Sequence, residues 1–246
     1  MNLENTYLQM KEMGLSRMAH TLDNCLQNGE HSDLTHEQLI ALIVEEEYVT
    51  RKNRKLQRMI AQARFYPELP ALEDLVYRSS RGFTQKDIVQ FKTTGWIHHA
   101  HNIIITGPTG CGKSFLAQAI ALNACKMGMP AMNIRYKMLF EELNAAKGVG
   151  MYLKHLKKLS KIKVLIIDDF LMHDATAADL SSFMDVIEEK QQRGSIIITT
   201  QYPISTWHKK MPDPTIADAI CDRLVRIAYK FNLEGESMRK IKQNLI

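Results

Sequence analysis

The stretch His101-Asn102-Ile103-Ile104-Ile105-Thr106-Gly107-Pro108-Thr109-Gly110-Cys111-Gly112-Lys113-Ser114 decides the fold. Three consecutive β-branched isoleucines read as a buried strand. They run straight into G-x-x-x-x-G-K-[ST], the phosphate-binding loop pattern. Phe115 to Lys126 then reads as a helix. Strand, glycine loop and helix are the context that pattern requires, because bare loop N–H groups and a helix N-terminus together surround phosphate oxygens. The nucleotide-binding set is therefore expected to be Gly107, Pro108, Thr109, Gly110, Cys111, Gly112, Lys113, Ser114 and Phe115. Lys113 would reach the β- and γ-phosphates, and the Ser114 hydroxyl would sit on Mg²⁺. ATP with Mg²⁺ is the expected ligand.

Working outward, the chain downstream alternates short apolar runs with helical patterns, which argues for an α/β fold with a central parallel sheet. Strands are expected at Ala131–Arg135, Val164–Ile167, Ser195–Thr199 and Arg226–Phe231. Helices are expected at Tyr136–Ala146, Met151–Leu159, Ala175–Gln192 and Ile216–Leu224, with a shorter one at Thr84–Thr93. Upstream, everything to about Arg64 reads as helix. Its clearest piece is Thr35–Met59, opened by Thr35 and Gln38 as a capping box. Phe65-Tyr66-Pro67-Glu68-Leu69-Pro70 then breaks the helix with two prolines. The expected organisation is a helical domain over 1–66 and a nucleotide-binding domain over 67–246, ending in a short tail.

Bulk properties narrow the class. The 246 residues are 45% hydrophobic and 24% charged, ordinary values for a globular protein. No apolar run reaches membrane-span length, and Met1-Asn2-Leu3-Glu4-Asn5 is unlike a secretory signal. Cys25, Cys111, Cys125 and Cys221 form no C-x-x-C pair, which suits reduced thiols in the cytoplasm. His98, His99 and His101 crowd together, but no acid or cysteine stands at ligand spacing beside them. A net charge of +5 permits nucleic-acid binding without establishing it.

Three further elements carry chemistry. Val164-Leu165-Ile166-Ile167-Asp168-Asp169 is a wholly apolar strand ending in two acids. Asp168 is placed to hold Mg²⁺ with Ser114, and Asp169 to activate the attacking water. Ser195-Ile196-Ile197-Ile198-Thr199-Thr200-Gln201 would run between the two site strands. Thr200 is the first choice to contact the γ-phosphate or the water, with Thr199 and Gln201 as alternatives. Arg223, in Asp222-Arg223-Leu224-Val225-Arg226, is either a helix-end ion-pair residue or an arginine delivered to a neighbouring subunit's γ-phosphate.

These residues resemble the IstB-like ATP-binding proteins of bacterial insertion sequences. The likeness rests on the phosphate loop, on Leu165-Ile166-Ile167-Asp168-Asp169-Phe170, and on Thr200-Gln201-Tyr202-Pro203. It rests most specifically on Asp213-Pro214-Thr215-Ile216-Ala217-Asp218-Ala219-Ile220-Cys221-Asp222-Arg223-Leu224 and Gly235-Glu236-Ser237-Met238-Arg239-Lys240. The resemblance covers nearly the whole chain. It implies an AAA+ ATPase related to DnaC-type helicase loaders, without a full C-terminal lid. It implies self-assembly on duplex DNA as a ring or spiral, recruitment of a transposase, and Arg223 acting as a finger in trans. Arg239 would be a second phosphate sensor or a surface residue. Asp169 stands where many such enzymes carry Glu, which points to slow hydrolysis.

DNA contacts are expected from the basic run Arg51, Lys52, Arg54, Lys55 and Arg58, which reads equally as a solvated helix face, and from Arg135, Lys137 and Lys147. Lys154, Lys157, Lys158, Lys161 and Lys163 form a second basic cluster with the same two readings. The alternatives to a transposition helper are a replicative helicase loader, which shares the ATPase core, and a metabolic kinase, which would need an acceptor site.

Overall fold

The computed structural model describes residues 3–75 and 82–235. The chain divides into two compact units, Met1–Arg58 and Met59–Ile246. The first holds helices α1 (Leu3–Glu12) and α2 (Ser16–Gln27) and most of α3 (His36–Gln62), within which the division falls. The Thr35 capping box forms: the Gln38 amide donates to Thr35 Oγ1 at 3.2 Å, and the Thr35 amide to Gln38 Oε1 at 2.9 Å.

The opening of α2 is capped across the fold. Its Arg17 and Met18 amides donate to the buried Glu47 carboxylate at 3.0 and 3.2 Å. Arg51 fixes that carboxylate, donating from Nε to Glu47 Oε1 at 2.6 Å and from Nη2 to the Gly14 carbonyl at 2.9 Å. The Arg51 bond, helped by the two amides, holds the Glu47 pKa below the ordinary carboxylate value against the opposing effect of burial. Arg51, grouped by sequence with a DNA-facing stripe, is therefore engaged inside this unit. Lys52, Arg54, Lys55 and Arg58 remain exposed.

The second unit is built on five parallel strands: β1 (Asn102–Thr106), β2 (Ala131–Arg135), β3 (Val164–Asp168), β4 (Ser195–Thr200) and β5 (Ala228–Asn232). Their order is β2-β3-β4-β1-β5. Around them lie α4 (Gln85–Val89), α5 (Gly95–His98), α6 (Lys113–Lys126), α7 (Tyr136–Gly148), α8 (Tyr152–Ser160), α9 (Ala177–Lys190), α10 (Trp207–Lys210) and α11 (Pro214–Val225). Every residue of β3 and β4 is buried, which explains why those stretches read as unbroken apolar runs rather than alternating ones. Helix α6 packs against β2, β3 and β4. Its Ala117, Ala119, Ala121 and Ala124 are fully buried, and small side chains let the helix sit close to the strands. An edge-to-face aromatic group fills another part of the core, with Tyr136–Phe140 centroids 4.7 Å apart and Phe170–Trp207 centroids 4.8 Å apart.

Two helices start two residues from where their periodicity suggests, and caps explain both. Thr176 Oγ1 accepts from the Asp179 amide at 3.1 Å, so α9 opens at Ala177 rather than Ala175. Asp213 Oδ1 accepts from the Ile216 amide at 3.0 Å with Pro214 in the first helical position, so α11 opens two residues before Ile216. Among the described residues no helix is long and apolar enough to cross a membrane. The expected tail beyond residue 235, with Arg239, lies outside the described residues.

Candidate nucleotide site

The strand order places β4 between β1 and β3, so Thr106, Thr200 and Asp168 close their strands side by side. The carboxyl ends of parallel strands are where open α/β sheets take ligands. From Thr106 the chain turns through Gly107 at φ 145°, where a Cβ would stand 2.3 Å from the Leu233 carbonyl oxygen. Only glycine fits so close a backbone approach. Gly112, at φ 100°, then sits immediately before α6 in the left-handed region. The Lys113 ammonium lies back across its own loop, donating to the carbonyls of Gly107 at 2.9 Å and Pro108 at 2.8 Å.

Ser114 joins the loop to β3: its Oγ donates to Asp168 Oδ1 at 2.8 Å. The same oxygen accepts a short hydrogen bond from Thr199 Oγ1. Two hard oxygen donors side by side at the mouth of a phosphate loop fit Mg²⁺, which takes one or two protein oxygens and keeps the rest of its shell for water and phosphate. Ser114 and Asp168 are the residues that would hold it.

Asp169 follows with φ 57°, its amide tied to Thr199 Oγ1 at 3.2 Å. Aspartate tolerates this left-handed conformation better than most residues. Burial, and next the charge of Asp168, push the Asp169 pKa up, while Arg135, Lys113 and His173 pull it down. A half-buried carboxylate with a raised pKa beside a phosphate loop suits a general base.

Several expectations are relocated. Thr200, first choice on sequence, is fully buried and turned away: its Oγ1 donates to the Phe170 carbonyl at 2.7 Å. Successive strand residues face opposite sides of a sheet, and the parity here gives the site to Thr199. Arg135 is drawn into the site instead of standing free for DNA. Its Nε donates to Tyr66 Oη at 3.4 Å, and its charge is felt by both acids. Lys147 donates to Ser182 Oγ at 2.6 Å and lies 4.8 Å from the Tyr152 ring centroid, and Lys137 pairs loosely with Glu141 at 3.8 Å. Sequence reasoning missed Tyr66, whose Oη donates to Asp168 Oδ2 at 2.8 Å. The signal at hand was an aromatic residue between a helix end and two prolines, which marks a break and not a site.

Arg223 lies at the opposite end of the sheet. The Asn102 side chain, at the start of β1, donates to the Arg223 and Leu224 carbonyls at 3.1 and 3.3 Å. Five strand residues, about 16 Å, separate that point from the phosphate loop. The guanidinium pairs with Glu188 Oε1 at 3.3 Å and with the Ala219 carbonyl at 3.4 Å. It borders a pocket shared with His99, Asn102, Lys190, Asp222 and Arg226. Lys190 is buried there, its Nζ hydrogen-bonded to the Ile162 carbonyl, and burial together with the nearby Lys163 pushes its pKa down to about 7.

Comparison with known proteins gives a family and a fold. The family model of the IstB-like ATP binding protein matches residues 8–245. An insertion-sequence ATP-binding protein of Sinorhizobium fredii is 33% identical over 235 residues, covering 95% of this chain and 94% of its own. The corresponding protein of IS1162 from Pseudomonas fluorescens is 31% identical over 206 residues, 84% of this chain and 89% of its own. Among solved structures, DnaI superposes with a TM-score of 0.58 at 18% identity, over 67% of this chain and 91% of that one. AMPPCP-bound DnaA from Aquifex aeolicus gives 0.59 at 17% identity, over 74% and 56%. At such identities these structures share the fold, which is that of AAA+ ATPases.

Proposed function

The chain belongs to the IstB-like ATP-binding protein family, and from that premise we propose that it is an ATP-hydrolysing helper of transposition that assembles on duplex DNA and recruits a transposase. The observation that carries the nucleotide half is the Ser114–Asp168 bond, which ties the phosphate loop to the acid that ends β3. In this reading Lys113 exchanges its loop carbonyls for the β- and γ-phosphate oxygens. Ser114 and Asp168 would hold Mg²⁺, whose charge would offset that of the phosphates. Asp169 takes the proton of a water whose oxygen bonds the γ-phosphorus. The bond to the β–γ bridging oxygen breaks and ADP departs. Thr199 holds Asp168 and the Asp169 amide in register. Aspartate is one methylene shorter than glutamate, so it holds the water less closely and hydrolysis is slow.

Arg223 completes the site of an adjacent copy, since its own phosphate loop is a strand's length away. Homo-oligomerisation is therefore part of the reading. Lys52, Arg54, Lys55 and Arg58 on α3 are the leading duplex-backbone contacts, with Lys137 and Lys147 secondary. Backbone contacts of this kind make affinity steeply salt-dependent and largely independent of sequence.

Size analysis of the purified chain with ATP, Mg²⁺ and duplex DNA tests the whole. Growth that requires both ATP and duplex, and is absent in Lys113→Ala, is the expected result. Unchanged size in all conditions would refute assembly. Preference for single-stranded DNA, with capture of a helicase in place of a transposase, would instead identify a helicase loader.

A further inference from the structure

We propose that Tyr66 is a positioning residue for the magnesium-holding carboxylate: its hydroxyl fixes Asp168 from the side opposite Ser114, with Arg135 backing it. The inference rests on the reading that Ser114 and Asp168 hold Mg²⁺. An aspartate carboxylate turns easily about its last bond, whose torsional preference is broad. Ser114 and Thr199 both donate to Oδ1, which alone leaves the plane of the group free to swing. Tyr66 Oη, donating to Oδ2 at 2.8 Å, supplies the second point that fixes that plane.

The direction of the chain of hydrogen bonds follows from its members. A guanidinium only donates, an ionised carboxylate only accepts, and a phenol does both. Oη therefore accepts from Arg135 Nε and spends its single hydrogen on Asp168. The Arg135 guanidinium carbon lies 5.8 Å from the Tyr66 ring centroid, so it steadies the ring as well.

Tyr66 itself is held by the elements that build the site. Its amide donates to Gln118 Oε1 at 2.8 Å, on the helix that carries Lys113 and Ser114. Three residues earlier, the Ala63 carbonyl accepts from the Asn133 amide of β2 at 2.7 Å. The segment 63–66, directly after α3, thus straps the P-loop helix to β2 and presents one hydroxyl to the acid between them. Phenylalanine would fill the same space, so the hydroxyl is the part that needs a role.

The test compares wild type, Tyr66→Phe, Arg135→Gln and Asp168→Asn by fluorescent-ATP titration at graded Mg²⁺ and in EDTA. Hydrogen exchange of the Tyr66-segment amides reports whether the strap stays in place. Wild type should bind more tightly as Mg²⁺ rises, and Asp168→Asn should lose that response. Tyr66→Phe should need about five- to tenfold more Mg²⁺ for half its effect, the scale of one ordinary net hydrogen bond. Its magnesium-free binding should stay within about twofold of wild type, since a bond to the carboxylate matters only when the carboxylate is used. Arg135→Gln, which leaves the ring in place, should show a smaller shift in the same direction. A wild-type response to Mg²⁺ with an identical response in Tyr66→Phe would overturn the inference alone. So would an equal loss of binding with and without Mg²⁺. A wild type indifferent to Mg²⁺ would overturn the assignment of Ser114 and Asp168 and this inference with it.

Discussion

The two ends of the parallel sheet are built on opposite plans. At the carboxyl end, Ser114, Tyr66, Asp168, Thr199 and the Asp169 amide form one connected set of buried or half-buried hydrogen bonds, beside which Lys113 bonds the carbonyls of its own loop. At the amino end, the Arg223 guanidinium bonds, among the described residues, an exposed glutamate and a helix carbonyl at 3.3 and 3.4 Å. Its side chain is 31% exposed and that of Glu188 52%, where an ion pair contributes about 0–1 kcal/mol. The first end is organised for a ligand within one chain. The second is loosely held, which leaves the guanidinium free for the role proposed for it.

The largest expected effect falls on the first end. Lys113→Ala removes the only side-chain ammonium of the loop, and should abolish ATP binding, hydrolysis and ATP-dependent assembly together. Tight ATP binding by the folded variant would break the comparison at its root.

Arg223→Ala is the sharper cut, because the two ends should then part company. ATP binding should stay within about twofold of wild type, while assembly-stimulated hydrolysis falls about a thousandfold, the scale of a finger arginine. Mixing Arg223→Ala with Lys113→Ala should restore part of the rate. In mixed assemblies an intact phosphate loop from one variant meets an intact arginine from the other. Absence of any recovery in demonstrably mixed assemblies would return Arg223 to a local ion pair with Glu188.

A smaller effect probes the electrostatics of the ligand end. Burial and Asp168 raise the Asp169 pKa, so a rate that needs its carboxylate should fail on acidification at a higher pH than a free aspartate would allow. Arg135 opposes that rise. Arg135→Gln should therefore move the acid limb of the pH–rate profile upward by a few tenths of a pH unit, and less at high salt because Arg135 is exposed. A limb moving downward would show that Asp169 is not the group being titrated.

This end was legible in the sequence where chemistry is local and not where it is long-range. The loop from Gly107 to Ser114 and the strand ending in Asp168 are contiguous patterns, and apolar runs locate every strand to within two residues. The choice between Thr199 and Thr200 depends on strand parity, and a run of buried residues on both faces carries no alternation from which to read it. Tyr66 and Arg135 meet Asp168 only through tertiary folding, Tyr66 across 102 residues of chain, and the prolines beside Tyr66 mark only a break. Arg51 misled for a similar reason: a charge run looks solvated until Glu47 and Gly14 are brought to it.

The smallest effect belongs to the amino end and concerns stability rather than catalysis. Lys190 is buried behind the Arg223 pocket, with its pKa pushed down to about 7 from 10.5 by burial and by Lys163. Between those two values the unfolded chain holds a proton that the folded chain has released. Stability from this group therefore rises with pH across that window, and is lost as pH falls toward 7. The slope is at most about 1.4 kcal/mol per pH unit, or about 3 °C in melting temperature for a unit of this size. Lys190→Met keeps the shape of the side chain and removes the titration. It also leaves the Ile162 carbonyl without its donor, a cost that is the same at every pH and so shifts the offset but not the slope. The melting temperature of wild type should thus climb relative to Lys190→Met between pH 7.5 and 9.5, narrowing or reversing any deficit. Parallel curves would mean that Lys190 keeps its proton in the fold, making the amino end the better solvated of the two, and the pocket beside Arg223 open to water.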